Sequence, residues 1–189
     1  MIGALLFNSL RTIVLHGLVL LVLGCGFQQR VPPSPGHSHE HFTEGTYLDV
    51  PFIPQNKEND CGPAALASIL AYKGRTLSLE TITGEVFTPA LDRTLLPDME
   101  NYARRLGLRP VTGSGDLELL KQRITADSPV ILFLDMGWMM TSRGHYVVLV
   151  GHVPGGFLVH SGHEAYQFIA SETLKQRWSR MNNLYLYLE

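Results

Sequence analysis

The chain has 189 residues, a hydrophobic fraction of 45% and a formal net charge of -2 at neutral pH. That length suits one domain, and the apolar content is that of an ordinary globular protein. Near-balanced charge with no basic stripe argues against a nucleic-acid partner, and no internal period points to a repeat array.

The first segment, "MIGALLFNSLRTIVLHGLVLLVLGCGFQQR", carries a single charge, Arg11, before Arg30. Its apolar run from Thr12 to Phe27 is 16 residues long, short of the roughly 20 that span a bilayer comfortably. A positive residue followed by a short apolar run reads as a secretory signal. The run ends in "VLGC", Val22 to Cys25, which resembles the lipobox of bacterial lipoprotein signals. An aliphatic residue stands three before the cysteine and a small one just before it. The resemblance implies a signal peptide over 1–24, acylation of Cys25, and a membrane partner reached through that lipid. It also implies an extracytoplasmic place in the bacterial envelope, on the periplasmic side and at the outer membrane. Several acyl chains would hold a domain firmly where one would not. The other reading is an uncleaved single-pass anchor. With Cys25 lipidated, Cys61 is the only other cysteine, so no disulfide forms within the chain.

Residues 25–46 include "QQRVPPSPGHSHEHFTEGT", too polar and too rich in Pro, Gly and Ser to fold, and read as a tether. Within it His37, His39 and His41 are weak metal-ligand candidates or, more simply, a solvated linker. The folded domain is expected over 47–189. "YLDVPFI" reads as a short strand that Pro51 and Pro54 confine to an edge or an irregular approach. "CGPAALASILAYKG" reads as a helix, with Pro63 in its first turn and Gly74 at its stop. Apolar residues lie nearly all round it, which predicts a central, buried position. "SLETITGEVF" predicts a short helix capped by Ser78. "DRTLLPDMENYARRLGL" predicts one from Leu96 or Pro97 to Leu106, and "GDLELLKQRITAD" one capped by Asp116. "PVILFLDM", "HYVVLVGHV" and "GFLVHSG" read as strands, and "AYQFIA" as a weaker one. "SETLKQRW" is a helix with Ser171 as cap, and "NNLYLYLE" a closing strand. Helices first and a mostly antiparallel sheet second make an α+β fold, and a monomer is expected.

Cys61 lies where the polar stretch "NKEND" meets the central helix. Unpaired N–H groups and the helix dipole favour negative charge there, so the thiol pKa is expected to fall. A thiolate nucleophile needs an imidazole as ion-pair partner and proton donor. Of the eight histidines, His145 in "TSRGHYVVLVG" has the best address, at the mouth of a strand. Gln55, six residues before Cys61, offers a side-chain amide that, with the Cys61 N–H, can steady an oxyanion. Each such donor contributes about 3 kcal/mol in acyl-transfer sites. A metal reading would gather His145, His152, His160 and His163, but their spacing matches no structural zinc pattern. No cofactor or metal is called for.

Together "VPFIPQNKENDCGPAALASIL" and "GHYVVLVG" resemble the two motifs of the C39 and C39-like cysteine peptidases, the bacteriocin-processing branch of the papain-like superfamily. The resemblance covers roughly Tyr47 to Glu189. It implies a papain-like fold, helical in its first half with the catalytic helix packed on the sheet. It also implies metal-free thiol hydrolysis of a peptide or protein substrate, with Cys61, His145 and Gln55 in the roles just given. The family's third position, usually Asp or Asn on the strand after the His strand, falls in "GFLVHSGH". There it is either His160 or Ser161, and either supports an imidazolium less than a carboxylate does. Asp135, on the preceding strand, is a possible substitute. Other outcomes on the same fold are a catalytically weak peptide-binding module and a peptidyl or acyl transferase. Trp138, Met139 and Met140, just before the His145 strand, are candidates for the cleft lining.

Overall fold

The computed structural model describes residues 44–137 and 141–189. The signal segment, Cys25, the His37/His39/His41 cluster and Trp138 to Met140 lie outside the described residues. Among the described residues no helix is long and apolar enough to cross a membrane.

In chain order the elements are β1 (Thr46–Tyr47), α1 (Cys61–Tyr72), α2 (Leu79–Val86), β2 (Phe87–Thr88), a 3-10 turn (Pro89–Leu91), β3 (Arg93–Thr94) and α3 (Leu96–Arg105). They continue with β4 (Pro110–Ser114), α4 (Leu117–Thr125), β5 (Val130–Asp135), β6 (Gly144–Val153), β7 (Gly156–Ser161), β8 (Glu164–Ala170), α5 (Ser171–Ser179) and β9 (Leu184–Leu188). The main sheet runs β4-β9-β5-β6-β7-β8, with β1 added to the far end of β6. Every pairing in it is antiparallel. The molecule is α+β with its helices mostly in the first half, as the order of apolar patterns predicts.

Helix α1 is the centre of the core. Every residue from Gly62 to Leu70 is buried, and the helix packs chiefly on β6, with α2 and α3 against its other sides. An apolar residue set with no polar face leaves it no stable place at a surface. Its stop follows the chemistry of Gly74, which takes φ +74° where an L side chain would be strained. The caps of α2 and α4 are also as expected. Ser78 accepts from the Thr81 N–H, and Asp116 from the Leu119 N–H at 2.8 Å.

Two local readings need correction, and two strands go further than the sequence patterns alone. The expected "YLDVPFI" strand shrinks to Thr46 and Tyr47. Past Leu48 the backbone finds partners outside the ladder, Ile53 N–H on Ser68 Oγ and Gln55 N–H on the Gly162 carbonyl, while Pro51 and Pro54 have no N–H to give. Ser171 is the first helical residue of α5, not its cap; Ala170 holds that place and makes no side-chain bond. Strand β8 is a full seven residues. Strand β4, "PVTGS", carries no alternating pattern, and its strand character comes from pairing with β9.

Candidate active site

Cys61 is the first residue of α1. Cys61 lines a cleft with Gly144 and Tyr146, and nearby backbone N–H groups, Tyr146 foremost, favour the thiolate. Tyr146 directly follows His145 on β6. Cys61 therefore lies at the same end of β6 that carries the imidazole. Gly62 lets this happen at close range. A Cβ there would stand 2.8 Å from Thr94 Cβ, so β3 can lie directly on the first turn of α1. At the strand mouth Gly144 plays a similar part. A Cβ on it would be 2.3 Å from Phe133 Cζ, and the Phe133 ring stacks on Tyr146 at 4.5 Å between centroids.

The thiol pKa moves against the expectation. Burial pushes it up and outweighs the backbone N–H donors that pull it down, and the charge of Asp60 adds to the rise. Asp60 is itself buried and makes no side-chain cap bond. Burial also lowers the pKa of His145, with the nearby Arg143 charge second. Both shifts favour the neutral forms, a thiol at Cys61 and an uncharged imidazole at His145.

His145 Nε2 lies 3.1 Å from Ser161 Oγ. This is the hydrogen bond that can fix the ring's orientation, and it leaves Nδ1 as the other face of the base. His160 does not take that role. Its Nε2 lies 2.9 Å from the Val50 carbonyl, its Nδ1 accepts from the Tyr166 N–H at 3.1 Å, and it is 3% exposed. It ties β7 to β8 and to the chain entering the domain. Neighbours on a strand point to opposite faces, so only one of the two can meet His145. Asp135 is not a substitute either. Its Oδ1 accepts from the Gly137 and Arg143 N–H groups, both at 2.9 Å, and Arg180 Nη1 lies 3.7 Å from Oδ2. These donors, Arg143 N–H first, hold its pKa below the ordinary carboxylate range. Asp135 thus secures the connection from β5 to β6 rather than the imidazole.

Gln55 lines a chamber of ≈ 10 Å³ together with Cys61, Ser161 and Gly162. Its Nε2 donates to the Lys57 carbonyl at 3.0 Å and to the Glu58 carbonyl at 3.3 Å. Its Oε1 is buried without a partner. In the free protein the amide N–H groups are thus spent on the loop, and Gln55 must release one to serve an oxyanion.

On the other side Cys61 opens onto a cleft of ≈ 590 Å³, whose walls include Glu58, Thr94, Phe133, Arg143 and Tyr146. Arg143 Nη2 donates to Glu58 Oε1 at 2.5 Å, linking the loop before Cys61 to the residues before His145. Asn59 Nδ2 donates to the Asp92 carboxylate, tying the same loop to the β2–β3 hairpin. Arg143, Thr94 and Tyr146 were not singled out from sequence. Tyr146 acts through its backbone, which has no residue-type signal, and β3 is too short to show a pattern. Among the described residues no group of three His, Cys, Asp or Glu side chains is arranged to hold a metal ion.

A family model described as Peptidase C39 family matches residues 49–185. No curated protein sequence matches the chain. Among solved structures, a C39-like peptidase from Bacillus anthracis superposes with TM-score 0.66 at 18% identity, covering 77% of this chain and 98% of that one. The peptidase domain of Streptococcus ComA, a bi-functional ABC transporter of a quorum-sensing pathway, gives 0.61 at 22% identity, covering 72% and 95%. A double-glycine-motif protease from an AMS/PCAT transporter, solved with its leader peptide, gives 0.61 at 22% identity, covering 78% and 96%. At these identities the likeness is one of fold.

Proposed function

The chain belongs to the Peptidase C39 family of cysteine-type peptidases, whose model spans most of it, and from that premise we propose that Cys61 is its nucleophile and His145 its general base and acid. The observation that carries the assignment is the arrangement at the mouth of β6. Cys61 lines one cleft with Gly144 and Tyr146, and Ser161 Oγ meets the ring of His145 between them.

His145 takes the thiol proton as Cys61 Sγ attacks the peptide carbonyl carbon. The carbonyl electrons collect on oxygen, where the Cys61 N–H and one Gln55 N–H, released from its loop carbonyl, stabilise them. The oxyanion then collapses, the C–N bond breaks, and the imidazolium gives its proton to the leaving amine. A thioester on Cys61 remains. Water, deprotonated by His145, attacks it and frees a carboxylic acid and the thiol. Ser161 keeps the ring aimed throughout, as a hydroxyl in place of a carboxylate. The substrate is a peptide or protein. The cleft beside Cys61 supports this reading, as does the leader peptide bound to one protein of the same fold.

We also propose that Cys25 carries lipid and tethers the domain on the outer face of the bacterial inner membrane or at the outer membrane. The support is the "VLGC" sequence and the polar stretch behind it. Incorporation of labelled palmitate into the wild type but not into Cys25→Ser is the expected result, and equal labelling would refute it. For the activity, the purified chain is expected to cleave members of a peptide library while Cys61→Ala cleaves none. Retained cleavage by Cys61→Ala would overturn the assignment.

A further inference from the structure

Thr94, the last residue of β3, has a side chain that packing alone does not explain. It is 4% exposed, and its Oγ1 is buried without a hydrogen-bond partner. An unpaired buried hydroxyl costs stability, which valine, of nearly the same shape, would spare. Among the described residues the other buried, unpartnered side-chain atoms are Gln55 Oε1, in the candidate site, and Arg123 Nε, whose guanidinium stacks over Tyr187.

The position of that hydroxyl is specific. A Cβ built on Gly62 would meet Thr94 Cγ2 at 3.0 Å and Oγ1 at 3.2 Å, so both branches of the side chain rest on the residue next to Cys61. The same side chain lines the cleft with Cys61 and Tyr146. It stands on the cleft side of the nucleophile, whereas Gln55 lies in the small chamber on the other. No internal bond holds its hydroxyl, and the side chain is part of the cleft wall, so the O–H is available to a group seated there. A peptide seated over Cys61 gives up water from its backbone carbonyls, and those need new donors.

We propose that Thr94 is a substrate-binding residue, its Oγ1–H donating to a backbone carbonyl of the bound peptide beside the scissile bond. This rests on the thiol-peptidase reading above and adds a contact to it. The bond forms only with substrate present, so the stability it costs the free enzyme is recovered on binding.

The test uses the full chain, one peptide that it cleaves in a Cys61-dependent manner, and two variants. Thr94→Val keeps the shape and removes the hydroxyl; Thr94→Ser keeps the hydroxyl and removes the methyl. Thr94→Val is expected to lose about tenfold in kcat/KM while its Tm stays level or rises. Thr94→Ser is expected to stay within about threefold of wild type in kcat/KM. The proposal is overturned if Thr94→Val is as active as wild type, or if Thr94→Ser falls as far as Thr94→Val. A Thr94→Val chain that melts lower or fails to fold also overturns it, because the hydroxyl would then have a partner in the free protein. Hydrolysis that persists in Cys61→Ala would remove the underlying reading instead, whatever the Thr94 variants do.

Discussion

At the scale of single residues, burial raises the pKa of the Cys61 thiol and lowers that of the His145 imidazole. No carboxylate bonds the imidazole among the described residues; Ser161 does. In the proposed mechanism the proton from sulfur moves during attack rather than resting on the ring beforehand. Because the His145 pKa lies below the ordinary imidazole value of about 6.5, the ring stays neutral as pH falls through that value. The acid limb of kcat/KM is expected below that pH. Ser161→Ala removes one hydrogen bond, worth about 1 kcal/mol, and should cost three- to tenfold in kcat/KM. Ser161→Asp puts a carboxylate on the ring, favours the imidazolium, and should move the acid limb to higher pH. Unmoved limbs in Ser161→Asp would mean that Ser161 does not face His145. The positions of Cys61 at a helix start and His145 at a strand mouth were legible because caps, glycines and apolar runs mark such ends locally. The choice between Ser161 and His160 was not. It depends on strand register, and the β7–β8 pairing shifts between Val159 and Ser161. The direction of the thiol shift was illegible for a related reason. The helix start pulls the pKa down locally, but burial, set by packing from distant segments, pushes it up further.

At the scale of elements, α1 and the mouth of β6 are held at close quarters by small residues and by the β2–β3 hairpin. Gly62→Ala would drive a methyl into Thr94, 2.8 Å away. Overpacking of this kind costs about 1–3 kcal/mol, and the variant should unfold at lower denaturant and lose activity together. Leu66, fully buried in α1, should cost about 2–5 kcal/mol when cut to Ala. Chemical denaturation reads both, and wild-type midpoints would contradict the packing described. Asp135 binds the backbone of Gly137 and Arg143. Asp135→Asn keeps the acceptor oxygen but not the charge, so its effect should be smaller than that of Asp135→Ala, which frees the segment leading to His145. Helices α1, α2 and α4 were readable because apolar spacing, caps and stops all act within one turn. The two-residue strands β2 and β3 were not, because nothing in two residues distinguishes a strand from a loop.

At the scale of the whole molecule, the last strand is structural cement. Strand β9 lies between β4 and β5, and the Glu189 N–H reaches the Arg109 carbonyl. Alternating Tyr and Leu made β9 legible as a strand, but its partners β4 and β5 lie far from it in sequence. Strand β4, with Pro and Gly among five residues, owes its form to that pairing. The stability of the whole should also depend on pH in a defined direction. His145 has a folded pKa below its unfolded value, so the unfolded chain binds the extra proton first and stability falls as pH drops through about 6.5. Asp135, likewise depressed, contributes stability above about pH 3.9 that is lost as pH falls further. Denaturant titrations at pH 7.5 and 5.5 should show the lower value at pH 5.5; a rise there would contradict the neutral, buried His145.

The most direct measurement is the intact mass of the protein mixed rapidly with an activated peptide ester and quenched in acid. A covalent acyl adduct that maps to Cys61 and fails to build up in His145→Ala is the predicted result. Turnover with no adduct on Cys61, or an unchanged rate of acylation without the His145 imidazole, would contradict the account.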